Sequence, residues 1–555
     1  MSTLVISGAR VWTDDGAGAI RFEPRTIWIR DGRIVEVLPG VVTPSPGARP
    51  DILVFDGTGK FVCPAFVDAH FHLIALANKS LRVDLSSATS ADDVISTLAS
   101  RPRVLSSRHP VSEDTGAPSQ RHPRPLEEDA IVGVDFDESD WKDGALPTRA
   151  QLNAVSDTRP VYARRVCCHV GVANDALLQY LAPRVDTRFV DRETGRITED
   201  AVFEANRLTR PADEAVAGAM DGAIAHLHAL GITAIHDIVD PDTIEVYGAG
   251  LRQARRPLRI DGYLHLRASE FDAACARFDA IDPVRVRAVG IKIFSDGSLG
   301  ARTAALHEPY ADADTRGDLL VETRALVAEI ASCAEQGIAC AIHAIGDRAL
   351  STVLDAIEMT RATRARVRIE HAEVIAEPDL ERIVRTEVPL VMQPNFVRNW
   401  GGEGGLYERR LGRARWERNN PFATLVRAGA RVVFSSDGMP AGPLFGLKGP
   451  PTTRSSASAL APSTRFVATR RLRVRRGVPP RTPARCTPAH PPTSSSCRGI
   501  HSLPTAIEFA SRPHLPRDAR CFARPPRTRD ATRRVVCNLL SKWEFDARPS
   551  ASLRP

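Results

Sequence analysis

The sequence predicts an α/β fold, a (β/α)8 TIM-like barrel with a small N-terminal β-sandwich, and three observations lead there. From about residue 231 onward, short apolar runs alternate with amphipathic stretches, the pattern of a parallel sheet with helical crossovers. With "AFVDAHFH" at 65–72, eight such runs can be counted, the number a closed barrel needs, and the chain is far longer than the roughly 250 residues such a barrel takes. Residues 1–60 read differently, as alternating strands broken by Asp-Gly turns. No GxGxxG follows the first strand to support an open dinucleotide-binding sheet.

Taken in order, "TLVISGARVWT", "RTIWIRDGRIVEVL" and "ILVFDGTGKFVCPAF" supply the strands of the sandwich half, residues 1–60. "AFVDAHFH" (65–72) is the first barrel run and opens a barrel domain assigned to residues 61–447. A long excursion, roughly 84–222, then intervenes. Its middle is polar and Pro-rich and reads as a surface loop, whereas "RPVYARRVCCHVGVANDALL" (159–178) reads as ordered and is expected to reach the active-site mouth. The remaining runs are "GITAIHDI" (231–238), "LRIDGYLHL" (258–266), "AVGIKIFSDG" (288–297), "GIACAIHAIGD" (337–347), "RVRIEHAEV" (366–374), "VPLVMQPNF" (388–396) and "ARVVFSSDGM" (430–439). Helical patterns such as "TRALVAEIASCAEQ" and "DRALSTVLDAIEMT" lie between them.

Composition narrows the class. The 555 residues are 43% hydrophobic and 25% charged, which suits an enzyme-sized chain, and no run approaches the ~18–20 apolar residues of a membrane helix. The N-terminus lacks a basic segment followed by a cleavage site, so no leader is expected. Ten cysteines at irregular spacing, without a CxxC pair, indicate neither a zinc ribbon nor a disulfide framework. A cytoplasmic location is the resulting expectation.

The chemistry is carried by polar groups at the ends of apolar runs. His70 and His72 stand at i and i+2, so on a strand they face the same side and can reach one point. In a parallel barrel that point is the C-terminal rim, where catalytic groups collect. Alone, this His-x-His pair is weak evidence and reads more readily as two exposed loop histidines. Lys292 in "GIKIFSDG", His343 in "ACAIHAIGD", His371 in "VRIEHAEV" and Asp437 in "VVFSSDGM" strengthen it, because each interrupts or closes a buried run, where such a group is costly unless paired or ligating. For Lys292 the alternative is a structural salt bridge to Asp296 or another acid. Asp237 and His265 read as packing or supporting residues rather than ligands.

These residues, with "VDAHFHL", "IKIFSDGSLGARTAAL", "AIHAIGDRAL", "RIEHAEVI", "MQPNF" and "FSSDGMPAGPLFGL", resemble the amidohydrolase superfamily over about residues 1–447. More narrowly, the sequence resembles the branch containing N-substituted formamide deformylases and exoenzyme-regulatory proteins (amidohydrolase family 3). The resemblance implies that His70 and His72 bind the more buried of one or two divalent metal ions, zinc being the first choice. It implies that His343 and His371 hold the second, that a carboxylated Lys292 bridges the two, and that Asp437 contacts the site and shuttles a proton. It further implies that His169, Asn174 and Arg302 bind substrate, although Cys167 and Cys168 stand where the branch has a different context before His169.

The expected activity is metal-dependent hydrolysis of a non-peptide C–N bond in an amide, N-formyl or cyclic amide small molecule. The alternative is a catalytically inactive barrel with a regulatory or binding role. Neither a membrane nor a nucleic acid is an expected partner, and a homodimer is left open. Nucleic acid is raised only by residues 448–555, which hold 20 Arg and 2 Lys against 3 Asp and 2 Glu. That balance of +17 leaves −10 for the rest of a chain whose total is +7. This segment is rich in Arg, Pro and Ser, carries no helical or alternating period, and replaces the last barrel helix and closing sandwich strands that the resemblance implies. It reads as a disordered tail and as the product of a shifted reading frame in GC-rich DNA, in preference to a basic nucleic-acid-binding tail, because the break falls inside a unit the fold requires.

Overall fold

Strand-forming residues near the N-terminus build one mixed sheet in the computed structural model, which describes residues 3–14, 20–42, 52–100, 126, 130–360 and 367–446. β1 (Thr3–Asp14) runs through its middle. It pairs antiparallel with β2 (Ile20–Arg30), which forms a hairpin with β3 (Arg33–Pro39), and parallel with β4 (Ile52–Asp56) and β5 (Phe61–Val62). The hairpin turns on Asp31 and Gly32, both at positive φ (50° and 76°), the twist that suits a two-residue connection. Ile6, Ala9, Val11, Ile27 and Ile29 form the core of this unit, which packs separately from the unit that begins at Val67. The basic tail expected in place of the sandwich's closing strands, 448–555, lies outside the described residues.

β6 (Phe66–Phe71) is the first barrel strand. Before the next one, the chain builds a lobe around β7 (Val83–Asp84), β8 (Ile131–Phe136), β9 (Val161–Arg165), β10 (Val170–Ala173) and β11 (Arg196–Thr198), ordered β11-β10-β9-β8-β7. The sheet is buried on both faces. Val132, Val134, Tyr162 and Ile197 pack to one side with Leu177 and Leu181, while Ile131, Phe136, Val161 and Val172 pack to the other with Leu98 and Leu152. The period-two alternation is thus apolar on both sides, as in a sheet covered by helices. The Pro-rich middle, 101–125, lies outside the described residues. The lobe ends earlier than the expected residue 222, because helix Asp213–Ala229 packs against β12 (Ile232–Val239) and helix Leu73–Lys79 as part of the barrel's shell.

β12, β13 (Arg259–Leu264), β14 (Val286–Phe294), β15 (Ala339–Ala344), β16 (Val367–His371), β17 (Leu390–Met392) and β18 (Val432–Phe434) continue the barrel in chain order from β6, all parallel where their registers are defined. The first and last strands meet at a side-chain seam. The Ser436 N–H donates to Asp68 Oδ1 at 3.0 Å, the Ser436 hydroxyl donates to the other Asp68 oxygen, and the Asp437 N–H donates to the His70 carbonyl at 3.0 Å. Every predicted apolar run from 231 on contains one of these strands, so their C-terminal ends form a single rim.

Candidate metal centre

His70 lies near the end of β6, His371 at the end of β16 and Asp437 just beyond β18. One ligand-capable atom from each lies within 4.8 Å of the others, and all three residues are buried. The His72 Nε2 is 3.2 Å from Asp437 Oδ1, and the His70 Nε2 is 3.6 Å from the same oxygen. His72 is the most open member, with 35% of its side chain exposed. His343 stands next to this group, its ring centroid 4.5 Å from that of His371. The structure therefore gathers His70, His371 and Asp437 most tightly, across the two pairs into which the resemblance divides the histidines. The backbone is left-handed at His371 (φ 73°), Ala372 (φ 49°) and Asp437 (φ 54°). For non-glycine residues this conformation costs of the order of 1–3 kcal/mol each and persists only where the surrounding structure dictates it.

Hydrogen bonds fix which nitrogen each imidazole offers. The His70 Nδ1 lies 2.5 Å from Glu370 Oε2, so Nδ1–H donates to the carboxylate and Nε2 keeps its lone pair. The His371 Nδ1–H donates to Gln393 Oε1 at 2.8 Å; the Gln393 amide is held in that orientation because its nitrogen donates to the Val391 carbonyl and Ser435 Oγ. The His343 Nε2–H donates to the Gly297 carbonyl at 3.0 Å, leaving Nδ1 as the free acceptor. The donor set is thus Nε2 from His70 and His371 and Nδ1 from His343, each oriented by a partner behind it.

The charges fit a cation as well. Burial, then neighbouring positive groups, push His70 and His371 well below the ordinary imidazole value, and the same holds for His343. All three are neutral ligands at neutral pH. Burial pulls the Asp437 carboxyl upward, but His70, His72 and Lys292 outweigh it and leave it below its ordinary value, hence ionised. Lys292 is 1% exposed, its Nζ has no hydrogen-bond partner among the described residues, and burial pushes it down to about 8. The alternative of a salt bridge to Asp296 does not occur. Asp296 instead accepts the N–H groups of Ala305, Ile345 and Gly346 at 2.8–3.0 Å. Three neutral imidazoles and an ionised carboxylate are nitrogen and oxygen donors of the kind a divalent ion takes, with the Lys292 Nζ buried close by, 4.8 Å from the Phe294 ring centroid.

The other predicted residues fall differently. His169, in the lobe, faces the site, with its ring 6.0 Å from that of His343; its Nδ1 is 2.9 Å from Glu199 Oε2. Burial acts to lower its pKa, but Glu199 reverses this and lifts it to about 9. Asn174 is fully buried and caps helix Asp175–Leu181 by accepting the Leu177 N–H, also accepts the Val161 N–H, and donates to the carbonyls of Ser156 and Arg159. Its side-chain hydrogen bonds are made within the lobe. The Arg302 Nε and Nη2 pair with Asp312 at 3.1 and 2.9 Å. Asp237 accepts the Leu73 N–H and the Tyr247 hydroxyl, and His265 sits by Asp240.

Sequence reasoning missed Glu370, Gln393, Glu199 and Asp68. For Glu370 a signal existed: Arg368 and Glu370 stand at i and i+2 in a strand whose five residues are all buried, so two charges share one inward face. Asp68 and His70 repeat that pattern on β6.

Comparisons with known proteins agree with this geometry. A profile of the amidohydrolase family matches residues 53–457. The chain is 28% identical over 430 residues to YtcJ of Bacillus subtilis (strain 168), whose name places it among amidohydrolases; the match spans 73% of this chain and 76% of the relative. It is 26% identical over 478 residues to the N-substituted formamide deformylase of Arthrobacter pascens, spanning 79% and 81%. A solved structure of an uncharacterised metal-dependent hydrolase from Pyrococcus furiosus superposes with a TM-score of 0.58 at 26% identity, covering 80% of this chain and 88% of that one. Among the described residues, no helix is long and apolar enough to cross a membrane.

Proposed function

The chain belongs to the amidohydrolase family, and from that premise we propose that it hydrolyses a non-peptide carbon–nitrogen bond in a small amide, N-formyl or cyclic amide. The observation that carries this reading is the convergence of His70, His371 and Asp437 on one buried point at the barrel rim. His72 and His343 complete the donor set for one or two divalent ions, with zinc the first choice for nitrogen and oxygen ligands. When bound, such an ion polarises a carbonyl and makes water acidic enough to attack near neutral pH.

The residues of the chain supply the rest. Asp437, kept ionised and within 3.2 Å of His72, takes the proton from the attacking water and passes it to the departing amine. His169, held protonated by Glu199, offers its Nε2–H to a carbonyl oxygen or an anionic group of the substrate. Lys292 enters in one of two forms. It is a neutral amine turned from the ion, or it is a carbamate, formed when its nitrogen adds to carbon dioxide and releases one proton. Its burial and depressed pKa support the second form by making the unprotonated amine accessible. An N-formyl substrate is supported by the likeness to a relative of that name.

Metal quantification on purified protein, followed by a screen of N-formyl and N-acyl amines, tests the proposal. About one or two equivalents of metal and chelator-sensitive release of amine are expected. A folded protein without stoichiometric metal or turnover would leave only the non-catalytic barrel.

A further inference from the structure

Glu370 is fully buried inside the barrel. Its Oε2 contacts the His70 Nδ1 at 2.5 Å, and its Oε1 lies 2.5 Å from the Arg368 Nε as an ion pair. That oxygen and that nitrogen lack the alignment of a hydrogen bond, so the contact is electrostatic. Arg368 stacks on the Tyr263 ring at 3.9 Å, and its Nη1 reaches the His236 Nδ1 at 2.7 Å. A guanidinium can only donate, so the His236 Nδ1 accepts and the ring proton sits on Nε2, 3.6 Å from an Asp261 oxygen. Asp261 in turn receives both ends of Arg287 at 2.6 and 3.0 Å. Groups from β6, β12, β13, β14 and β16 thus form one polar chain that ends on the first histidine of the site.

We propose that Glu370 is a positioning residue for the metal site: it holds His70 as the Nδ1–H tautomer with Nε2 aimed at the rim, while the contact with Arg368 fixes the Glu370 side chain in place. Gln393 accepts the His371 Nδ1–H in the same way, through an amide whose own nitrogen is held by the Val391 carbonyl and Ser435 Oγ. Orienting partners of this kind typically change metal affinity by about 10–100-fold.

The inference rests on the metal reading above, so the experiment separates the two. Zinc affinity of the full chain is measured by competition with a chelator for wild type, Glu370→Met, Glu370→Gln and the distal control Asp261→Asn. The 15N shifts of His70 in the metal-free proteins, identified by loss in His70→Ala, report which nitrogen carries the proton. Weakening by roughly 10–100-fold is expected for Glu370→Met. A smaller loss is expected for Glu370→Gln, whose oxygen still accepts, and little change for Asp261→Asn. A merely structural role would lower thermal stability without moving the affinity of the folded fraction. Wild-type affinity in folded Glu370→Met overturns the proposal. Should that variant not fold, wild-type affinity together with an unchanged tautomer in Glu370→Gln overturns it. Failure of wild type to take up zinc refutes the metal reading instead, and the His70 tautomer still decides the role of Glu370.

Discussion

The rim and the lobe each bury an imidazole, and they leave it in opposite states. At the rim, burial drives His70, His343 and His371 toward the neutral form, and the nearby carboxylates do not restore the proton because Lys292 and the neighbouring histidines oppose it. In the lobe, His169 is also penalised by burial, yet Glu199 raises it to about 9. Glu199 is anchored by Thr303, whose hydroxyl donates to its second oxygen at 2.5 Å. The difference shows that burial does not decide the charge of a histidine; the balance of fixed charges around it does. The neutral rings suit metal ligation on one side, and the protonated ring suits hydrogen-bond donation on the other.

The largest expected effect breaks the rim. Asp437→Asn preserves shape but removes the proton acceptor, so turnover on an N-formyl amine should fall by about 10²–10⁴-fold. Metal content should stay near that of wild type, and undiminished turnover would exclude the assigned role. The next change breaks the lobe's half of the comparison. The folded pKa of His169, about 9, is above its ordinary 6.5, so the pair with Glu199 contributes stability fully below about pH 6.5 and loses it as pH rises through about 9. Glu199→Gln should therefore cost up to about 3 kcal/mol near pH 6 and nearly nothing above pH 9, as read from urea unfolding at each pH. A gap that does not narrow with pH would mean that the ion pair is not the source. The smallest effect sharpens the border between the lobe's scaffold and its site. Asn174→Ala should cost about 2 kcal/mol in the same assay, from a lost cap and two unpaired carbonyls, with KM unchanged. A raised KM at full stability would return Asn174 to the substrate.

Much of the rim was legible in the sequence because each candidate ligand interrupts or ends an apolar strand, where nothing but ligation or pairing explains it. Those strands hold the parallel barrel's core, and their order in the chain is their order in the sheet. Glu370 and Gln393 were less legible, since their roles exist only between strands that are distant in sequence. Asn174 and Arg302 are ambiguous in sequence for a related reason. An amide before a helix, or an arginine in a glycine-rich loop, looks the same whether it holds a ligand or its own backbone. The lobe was the least readable part. Its strands are short and buried on both faces, so they show neither long apolar runs nor clean alternation.

The seam between β6 and β18 has a temporal meaning as well. Asp68 and Ser436 are 368 positions apart, yet together they bring Asp437 beside His70. During synthesis, the two histidines leave the ribosome near the start while the carboxylate emerges only after nearly all of the barrel. A nascent chain that ends before β18 therefore carries the histidines without the Asp437 carboxylate that the seam sets beside them.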